Sequence, residues 1–133
     1  HFELGAISRN WWTNKHNTIL LWSLGNPTFN KDAVPLVPRK GGIGNYDSDQ
    51  RKVNSVWSIT MGPVDAQRTG YPNQKPTALI EPFVMVHSNE GDLIFDPYAG
   101  SGTTGFVAKG AGRDYVLCDT NTVAIETMKK RGL

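Results

Sequence analysis

The chain has 133 residues and a mass of 14.7 kDa, the size of one ordinary domain, which excludes a multidomain arrangement for this sequence. With 38% hydrophobic and 20% charged residues, its composition is that of a soluble globular protein, and its longest apolar runs are far shorter than the ~20 residues that a membrane span needs. The net charge of +2 is unevenly distributed, because residues 1–75 hold nine Lys and Arg against five Asp and Glu, and residues 76–133 hold five against seven. The basic first part favours a polyanionic partner.

The few cysteine and histidine residues indicate a reducing environment and no metal centre. Cys118 is the sole cysteine and cannot form an intrachain disulfide, and the sequence does not open with a secretory pattern. We therefore expect a cytoplasmic protein. His16 and His87 have no ligand partners at a useful spacing, so no metal site is predicted.

The first part of the chain is predicted to contain one strand followed by loops. Residues 18–23, Thr-Ile-Leu-Leu-Trp-Ser, are rich in β-branched and aromatic side chains and predict a buried strand. Residues 31–52 combine Gly and Pro with basic side chains, which is typical of a long, exposed, basic loop. A short apolar stretch at residues 56–59 precedes a second loop rich in Gly and Pro.

Helices and strands are predicted to alternate from Thr77 onward. An apolar stripe from Leu79 to His87 predicts a short helix, kinked because Pro82 lacks a backbone N–H. Asn121 offers a cap for a helix at the end of the chain. Between them we predict, in order, a buried strand, a glycine-rich loop, a helix and a second strand, at residues 93–95, 96–102, 103–109 and 115–118. Strand, helix, strand and helix in this order predict a parallel crossover unit.

The glycine-rich loop lies where parallel α/β sheets bind ligands, beyond the carboxyl end of a strand. Gly100 and Gly102 permit a tight turn and close approach of a ligand, and the amides of the next helix face a negatively charged group. An adenosyl cofactor fits such a loop, and Asp119 is placed to accept hydrogen bonds from ribose hydroxyls. The spacing leaves a nicotinamide dinucleotide open, because Gly105 occupies the third position of that fingerprint. A triphosphate-binding loop is excluded, because no Lys stands at the required position.

Two longer motifs are more specific. The first is Tyr71-Pro72-Asn73-Gln74-Lys75-Pro76, and the second is Phe95-Asp96-Pro97-Tyr98-Ala99-Gly100-Ser101-Gly102-Thr103-Thr104. Their order and separation resemble those of the beta group of DNA amino-methyltransferases, a circularly permuted group of S-adenosylmethionine-dependent enzymes that methylate adenine N6 or cytosine N4. The resemblance is strongest from Tyr71 to Asp119. Tyr71 stands where the family usually has His, and Asp119 where it usually has Glu.

The resemblance implies an α/β fold, a partial Rossmann-like methyltransferase sheet with helices on its faces and a long basic loop. It divides the chain into a core strand segment at residues 1–30, target-recognition loops at residues 31–70 and a cofactor-binding crossover unit at residues 71–133. DNA is the implied partner. In the basic loop, phosphate contacts are expected from Lys31, Arg39, Lys40, Arg51 and Lys52.

The cofactor that the resemblance implies is S-adenosylmethionine. Residues 73–75 are expected to meet its methionine carboxylate, residues 96–103 to surround its methionine and sulfonium part, and Asp119 to hold its ribose. The full set of expected cofactor contacts is Asn73, Gln74, Lys75, Asp96, Pro97, Tyr98, Ala99, Gly100, Ser101, Gly102, Thr103 and Asp119.

The family's catalytic tetrapeptide, Asp-Pro-Pro-Tyr, does not occur in these 133 residues. Asp96-Pro97-Tyr98 leads directly into the glycine-rich loop, so we interpret it as part of the cofactor site rather than as a clamp for a flipped base. In the permuted group the catalytic motif precedes the segment that matches residues 1–30. The chain therefore resembles the carboxyl-terminal half of such an enzyme, and we identify no catalytic residue in it.

We expect this half to be inactive alone. It either pairs with a second copy of itself or with a complementary subunit that carries the catalytic motif, or is a truncated remnant that retains part of the cofactor pocket without catalysis. Two other functions stay open. One is a non-catalytic DNA-binding or interaction module that retains the methyltransferase fold. The other is a fragment of a nicotinamide-dependent oxidoreductase, against which the match at residues 71–76 argues.

Overall fold

The computed structural model describes residues 17–38, 50–57, 59 and 67–133. A short 3-10 turn, Lys31–Ala33, precedes the first strand. The helices and strands of the described ranges are β1 (Leu36–Pro38), β2 (Gln50–Lys52), α1 (Thr77–His87), β3 (Leu93–Asp96), α2 (Thr103–Gly110), β4 (Asp114–Leu117) and α3 (Thr122–Lys130).

Strands β3 and β4 form a parallel pair that α2 connects, which confirms the predicted crossover and the α/β class. The register places Leu93 opposite Asp114 and Asp96 opposite Leu117, so the carboxyl ends of both strands meet at one edge. Helix α2 ends two residues before Gly112. The φ of Gly112 is 72°, in the left-handed region that favours glycine and that is typical of the residue after a helix cap. Asn121 starts α3 as predicted, since its side-chain oxygen accepts a hydrogen bond from the Val123 amide at 2.9 Å.

The core lies between the helices and one face of this strand pair. Helix α1 packs against α2, and α2 packs against both strands. Gly105 allows this close approach, because a Cβ at that position would overlap the Leu117 side chain of β4. The buried apolar side chains of the helices are Val84, Val86, Val107, Ala108, Ala124 and Met128.

The opposite face of the strand pair is open. Leu93 is 62% exposed, Phe95 61% and Val116 46%, whereas the alternating residues of both strands are partly buried beneath α1 and α2. The prediction that residues 93–95 form a buried strand is therefore wrong for this face. Parallel sheets are normally covered on both faces, and no helix of the described part of the chain covers this one. We call Leu93, Phe95 and Val116 the open sheet face.

Helix α1 occupies the predicted range, with Pro82 inside it, and its predicted kink stays a prediction. Its last carbonyl groups are bound by residues distant in sequence. The Asn30 side-chain amide donates to the carbonyls of Met85 at 3.1 Å and Ser88 at 2.9 Å. Arg113 donates to the same Ser88 carbonyl at 2.9 Å. The last carbonyl groups of a helix have no hydrogen-bond partners within it, and these bonds supply partners. Because Arg113 directly precedes β4, its bond also connects the end of α1 to the strand pair.

The predicted strand at residues 18–23 is wrong. These residues adopt no regular structure, and Leu20 is 74% exposed and Trp22 87% exposed. A strand needs a hydrogen-bonded neighbour, and none of the described residues pairs with this run. No helix within the described ranges is long and apolar enough to cross a membrane.

The basic loop contains more regular structure than its composition predicts. β1 and β2 form an antiparallel pair in which Leu36 lies opposite Lys52. Pro38 is compatible with this pair because it ends a strand at the edge of a two-stranded sheet. Residues 39–49, which include Arg39 and Lys40, and residues 1–16, which include Trp11 and Trp12, lie outside the described residues.

Candidate functional site

The glycine-rich loop joins β3 to α2 in a turn that two glycines make possible. Gly100 has a φ of 51° and Gly102 a φ of 74°, both in the left-handed region. The Ala99 amide donates to the carbonyl of Cys118 at 2.9 Å, which holds the loop against the end of β4. Because Gly102 is the N-terminal cap of α2 and has no side chain, the first amides of α2 form the kind of helix start that binds anions.

The Asp96 carboxylate stabilises the first turn of the loop from inside. Its Oδ1 accepts a hydrogen bond from the Tyr98 amide at 3.0 Å, and its Oδ2 accepts one from the Thr104 hydroxyl at 2.6 Å. These bonds leave Pro97 exposed and Tyr98 88% exposed at the tip of the turn. Tyr98 is therefore the loop side chain that is most available to a ligand.

Asp119 connects the end of β4 to the loop. Its Oδ2 accepts a hydrogen bond from the Gly100 amide at 2.8 Å, and its Oδ1 accepts one from the Asn121 amide at 2.8 Å. The amides of Asn121 and Gly100 lower the pKa of the Asp119 carboxyl below its ordinary value of 3.8. Each carboxylate oxygen has a second lone pair, so both can accept a further donor such as a hydroxyl.

The segment at residues 71–75 lies against the same loop. A Cβ at Gly100 would be 3.2 Å from Cε1 of Tyr71, and the Thr103 hydroxyl donates to the carbonyl of Lys75 at 3.0 Å. The structure therefore places the two motifs of the sequence side by side, although 20 residues separate Lys75 from Asp96. Asn73, which belongs to the first motif, is exposed and has a φ of 57°.

Two groups of expected cofactor contacts have their side chains engaged elsewhere. The Gln74 side chain donates to the carbonyl of Gln67 at 2.8 Å and accepts from the Thr69 amide at 2.9 Å, so it stabilises its own loop. Ser101 and Thr103 are buried, and their hydroxyl groups lie 3.2 Å apart. Ser101 and Thr103 are therefore placed to offer backbone groups to a ligand.

One contact of the loop has no signal in the sequence. Arg131, after the last helix, donates from Nη1 to the carbonyl of Ser101 at 2.7 Å. A basic residue at the C-terminal end of a helix is usual for electrostatic reasons, and a separation of 30 residues gives no local pattern that would indicate the contact.

The described members of the basic loop lie together. The Lys52 ammonium group contacts the carbonyl of Lys31 and lies 3.5 Å from Oδ1 of Asp32. The Arg51 side chain is exposed and reaches the Lys52 carbonyl at 3.4 Å. Trp57, which follows β2, stacks on Phe83 of α1 with ring centroids 5.1 Å apart. This stacking attaches the end of the basic segment to the helix that begins beside the glycine-rich loop.

A parallel crossover whose glycine-rich loop, helix start and strand-end carboxylate meet at one edge is the arrangement in which α/β proteins bind nucleotide-type cofactors. The family model described as DNA methylase, acting at N6 or N4, matches residues 3–130. The chain belongs to this DNA methylase family.

Two methyltransferase sequences agree with this assignment. The chain is 33% identical to the type II methyltransferase M.HpaI of Haemophilus parainfluenzae, over 98% of this chain and 42% of that protein. It is 34% identical to the DNA adenine methyltransferase YhdJ of Escherichia coli K12, over 80% of this chain and 40% of that protein. A crystal structure of the M1.HpyAVI–SAM complex matches 48% of this chain and 33% of that chain, with 38% identity and a TM-score of 0.47. The chain thus spans less than half the length of these relatives.

We expect Asp119 to stabilise the fold at neutral pH and to lose this effect in acid. Because its pKa is lowered on folding, its contribution is complete above about pH 4 and is lost as the pH falls through the lowered pKa. The difference in urea midpoint between wild type and Asp119→Asn should therefore be largest near neutral pH and shrink toward about pH 3. Urea unfolding followed by circular dichroism at both pH values measures it.

Asp114→Asn is the matched control, because it removes a carboxylate at the opposite end of β4 without breaking the bonds to Gly100 and Asn121. A wild-type minus Asp119→Asn difference that stays constant between the two pH values would contradict the assignment.

Proposed function

We propose that this chain is the S-adenosylmethionine-binding part of a DNA amino-methyltransferase that acts on adenine N6 or cytosine N4. The observation that carries the proposal is the contact between the Asp119 carboxylate and the Gly100 amide at 2.8 Å, which joins a ribose-type acceptor to the glycine-rich loop. Membership of the DNA methylase family supports the same reading. The family covers methylation at N6 and at N4, so adenine and cytosine are both open as the target base.

The residues present fit this cofactor. Both Asp119 oxygens can accept hydroxyl donors from a ribose, and the exposed ring of Tyr98 offers an aromatic surface beside the loop. The Lys75 side chain is exposed and supplies a positive charge for the methionine carboxylate, together with the Asn73 amide. Gln74 orders the segment that carries these two residues.

The remaining loop residues act through the backbone. Asp96 and Pro97 fix the turn, and the backbone of Ala99, Gly100, Ser101, Gly102 and Thr103 lines the proposed cofactor site. The amides of Ala99, Gly100 and Gly102 are bound within the protein and set the shape of this backbone. When bound, S-adenosylmethionine supplies an electrophilic methyl group on a sulfonium. The role of this chain is to hold and orient that group, and the residues that accept protons from the target amine belong to the Asp-Pro-Pro-Tyr motif, which this sequence lacks.

Isothermal titration with S-adenosylmethionine tests the cofactor assignment. Wild type should bind saturably, and Asp119→Ala should bind at least about tenfold more weakly because it loses a charged acceptor. Gly102→Val should abolish binding, because a side chain at φ 74° is strained and its Cβ would lie 2.7 Å from Met128 Cγ.

Asp114→Ala and Gly110→Val are the matched controls for these two variants, since Gly110 has open space around it. Folded wild-type protein that shows no binding at millimolar ligand would exclude the assignment. Saturable binding of a nicotinamide dinucleotide instead would favour the oxidoreductase alternative.

We further propose that the open sheet face is covered by a polypeptide segment that lies outside these 133 residues and carries the catalytic motif. Three observations support this: the chain covers 42% of M.HpaI, the sequence contains no Asp-Pro-Pro-Tyr, and Leu93, Phe95 and Val116 expose apolar surface on a parallel strand pair. Parallel sheets require cover on both faces, and an exposed patch of this kind marks an interaction surface.

Transfer of a radioactive methyl group to DNA tests the pairing. The chain alone should be inactive, and activity should appear on mixing with a polypeptide of the same genome that carries Asp-Pro-Pro-Tyr. Leu93→Asp should prevent the complex on size-exclusion chromatography, because it places a charge in the apolar contact.

Val56→Asp is the control for pairing, because Val56 is 80% exposed and lies outside the β3–β4 sheet. Methylation by the chain alone, or wild-type pairing of Leu93→Asp, would contradict the proposal. A homodimer that Leu93→Asp dissociates would identify a second copy as the occupant of the face.

DNA phosphates are the proposed partners of the basic loop. Lys31 lies in the 3-10 turn, Arg51 and Lys52 lie on β2, and Arg39 and Lys40 lie outside the described residues. Arg51 should contribute more than Lys52, because Asp32 lies 3.5 Å from the Lys52 ammonium group and offsets part of its charge. Arg51→Ala should lower DNA affinity and reduce the slope of log affinity against log salt by about 1.

Fluorescence anisotropy with duplex DNA at several salt concentrations measures this slope. Lys109→Ala is the control, because Lys109 lies in the last turn of α2 and outside the basic loop. An unchanged slope for Arg51→Ala would contradict the contact. DNA binding that is equally strong with and without S-adenosylmethionine, in a chain that fails the cofactor titration, would favour the non-catalytic DNA-binding module.

A further inference from the structure

We propose that Arg131 is a positioning residue that holds the glycine-rich loop in its cofactor-binding shape, an inference that rests on the proposed function. Arg131 follows α3 directly and has no place in either sequence motif. Its Nη1 donates to the Ser101 carbonyl at 2.7 Å, and its guanidinium carbon lies 4.7 Å from the centre of the Phe106 ring. The side chain therefore contacts both the middle of the loop and the first turns of α2.

The bond to Ser101 acts on the peptide group that most needs support. The carbonyl of Ser101 and the amide of Gly102 belong to one planar peptide and point in opposite directions. Arg131 binds the carbonyl, and the Gly102 amide donates to the Ala99 carbonyl at 2.7 Å. This peptide is thus held at both ends, and it precedes a glycine whose conformational freedom would otherwise let it rotate.

The end of the chain packs beneath the same peptide. A Cβ at Gly102 would lie 2.7 Å from both Met128 Cγ and Leu133 Cδ1, so α3 and the terminal residue press against the loop. Lys109 at the end of α2 donates to the Gly132 carbonyl at 2.7 Å. Residues 131–133 are therefore fixed to α2, which gives the Arg131 guanidinium a defined position.

Arg131 and Asp119 support the loop from different elements, at two peptides that are separated by one other peptide. Asp119 binds the Gly100 amide from the end of β4, and Arg131 binds the Ser101 carbonyl from the end of α3. Asp119 is also the proposed ribose ligand, so its substitution cannot separate loop shape from direct cofactor contact. Arg131 acts on the loop through the Ser101 carbonyl, so its substitution changes the shape of the loop without removing a proposed cofactor contact.

Amide hydrogen exchange by NMR, without cofactor, tests the positioning role. Arg131→Met keeps the aliphatic stem but removes the donor, and it should raise the exchange rate of the Gly102 amide about tenfold. The Cys118 amide donates to the backbone carbonyl of Asp96 at 2.9 Å, at the end of the strand pair. This amide should exchange at the wild-type rate. The Kd for S-adenosylmethionine, from isothermal titration, should rise about tenfold in parallel.

Arg131→Lys should restore most of the protection and affinity, because an ammonium group can donate to the same carbonyl. Lys130→Met is the matched control, since it removes the same charge from the exposed neighbouring residue and should behave as wild type. Rescue by lysine is the result that a general loss of stability would not produce.

Two results would overturn the proposal. One is wild-type Gly102 exchange and wild-type affinity in Arg131→Met. The other is an equal rise at Gly102 and Cys118 that lysine does not rescue, which would make Arg131 a residue of general stability. Wild-type protein that binds no S-adenosylmethionine would reject the proposed function, and the exchange rates would still decide whether Arg131 orders the loop.

Discussion

The hydrogen bond between the Asp119 carboxylate and the Gly100 amide is the constraint on which the site depends. It fixes the loop after β3 to the residue after β4, and the parallel register of the two strands makes this possible because their carboxyl ends meet at one edge. Without it, a loop with two left-handed glycines would have many conformations to lose on binding a ligand. The Asn121 amide is the largest cause of the lowered pKa of Asp119 and the Gly100 amide is the second, so the bond to the loop affects both the electrostatics and the shape of the site.

The two faces of the β3–β4 pair differ because only one of them has a helical layer. The covered face receives α2 at close range, where Gly105 meets Leu117, and the other face presents Leu93, Phe95 and Val116 to solvent. None of these three residues takes part in the contacts described for the glycine-rich loop, so the support of the loop does not depend on cover over this face.

The crossover unit was predictable from the sequence because its signals are local. Glycine at position 112, the cap at Asn121 and the short apolar runs of the strands each act within a few residues, and the structure follows them in the positions of the elements. The run at residues 18–23 has the same local signals for a strand, but it finds no neighbour among the described residues. Strand formation depends on pairing between distant segments, which composition does not encode.

The sequence predicted the two motifs of the site, but it did not predict the side-chain contacts that hold them in place. The proximity of Tyr71 and Lys75 to the loop follows from the family pattern, whereas the inward direction of the Gln74 side chain and the reach of Arg131 depend on side-chain geometry. The paired strands β1 and β2 were likewise hidden, because the Gly and Pro residues of the basic loop at residues 31–52 predict irregular structure.

The contacts described for the glycine-rich loop all come from one continuous stretch, from Tyr71 at its start to Leu133 at its end. A genetic rearrangement that joins this stretch to a different preceding segment would carry the loop together with its supports. Such a rearrangement would nevertheless break the contacts that Asn30 and Trp57 make with α1, so the loop would keep its direct supports and lose part of the anchoring of its neighbouring helix.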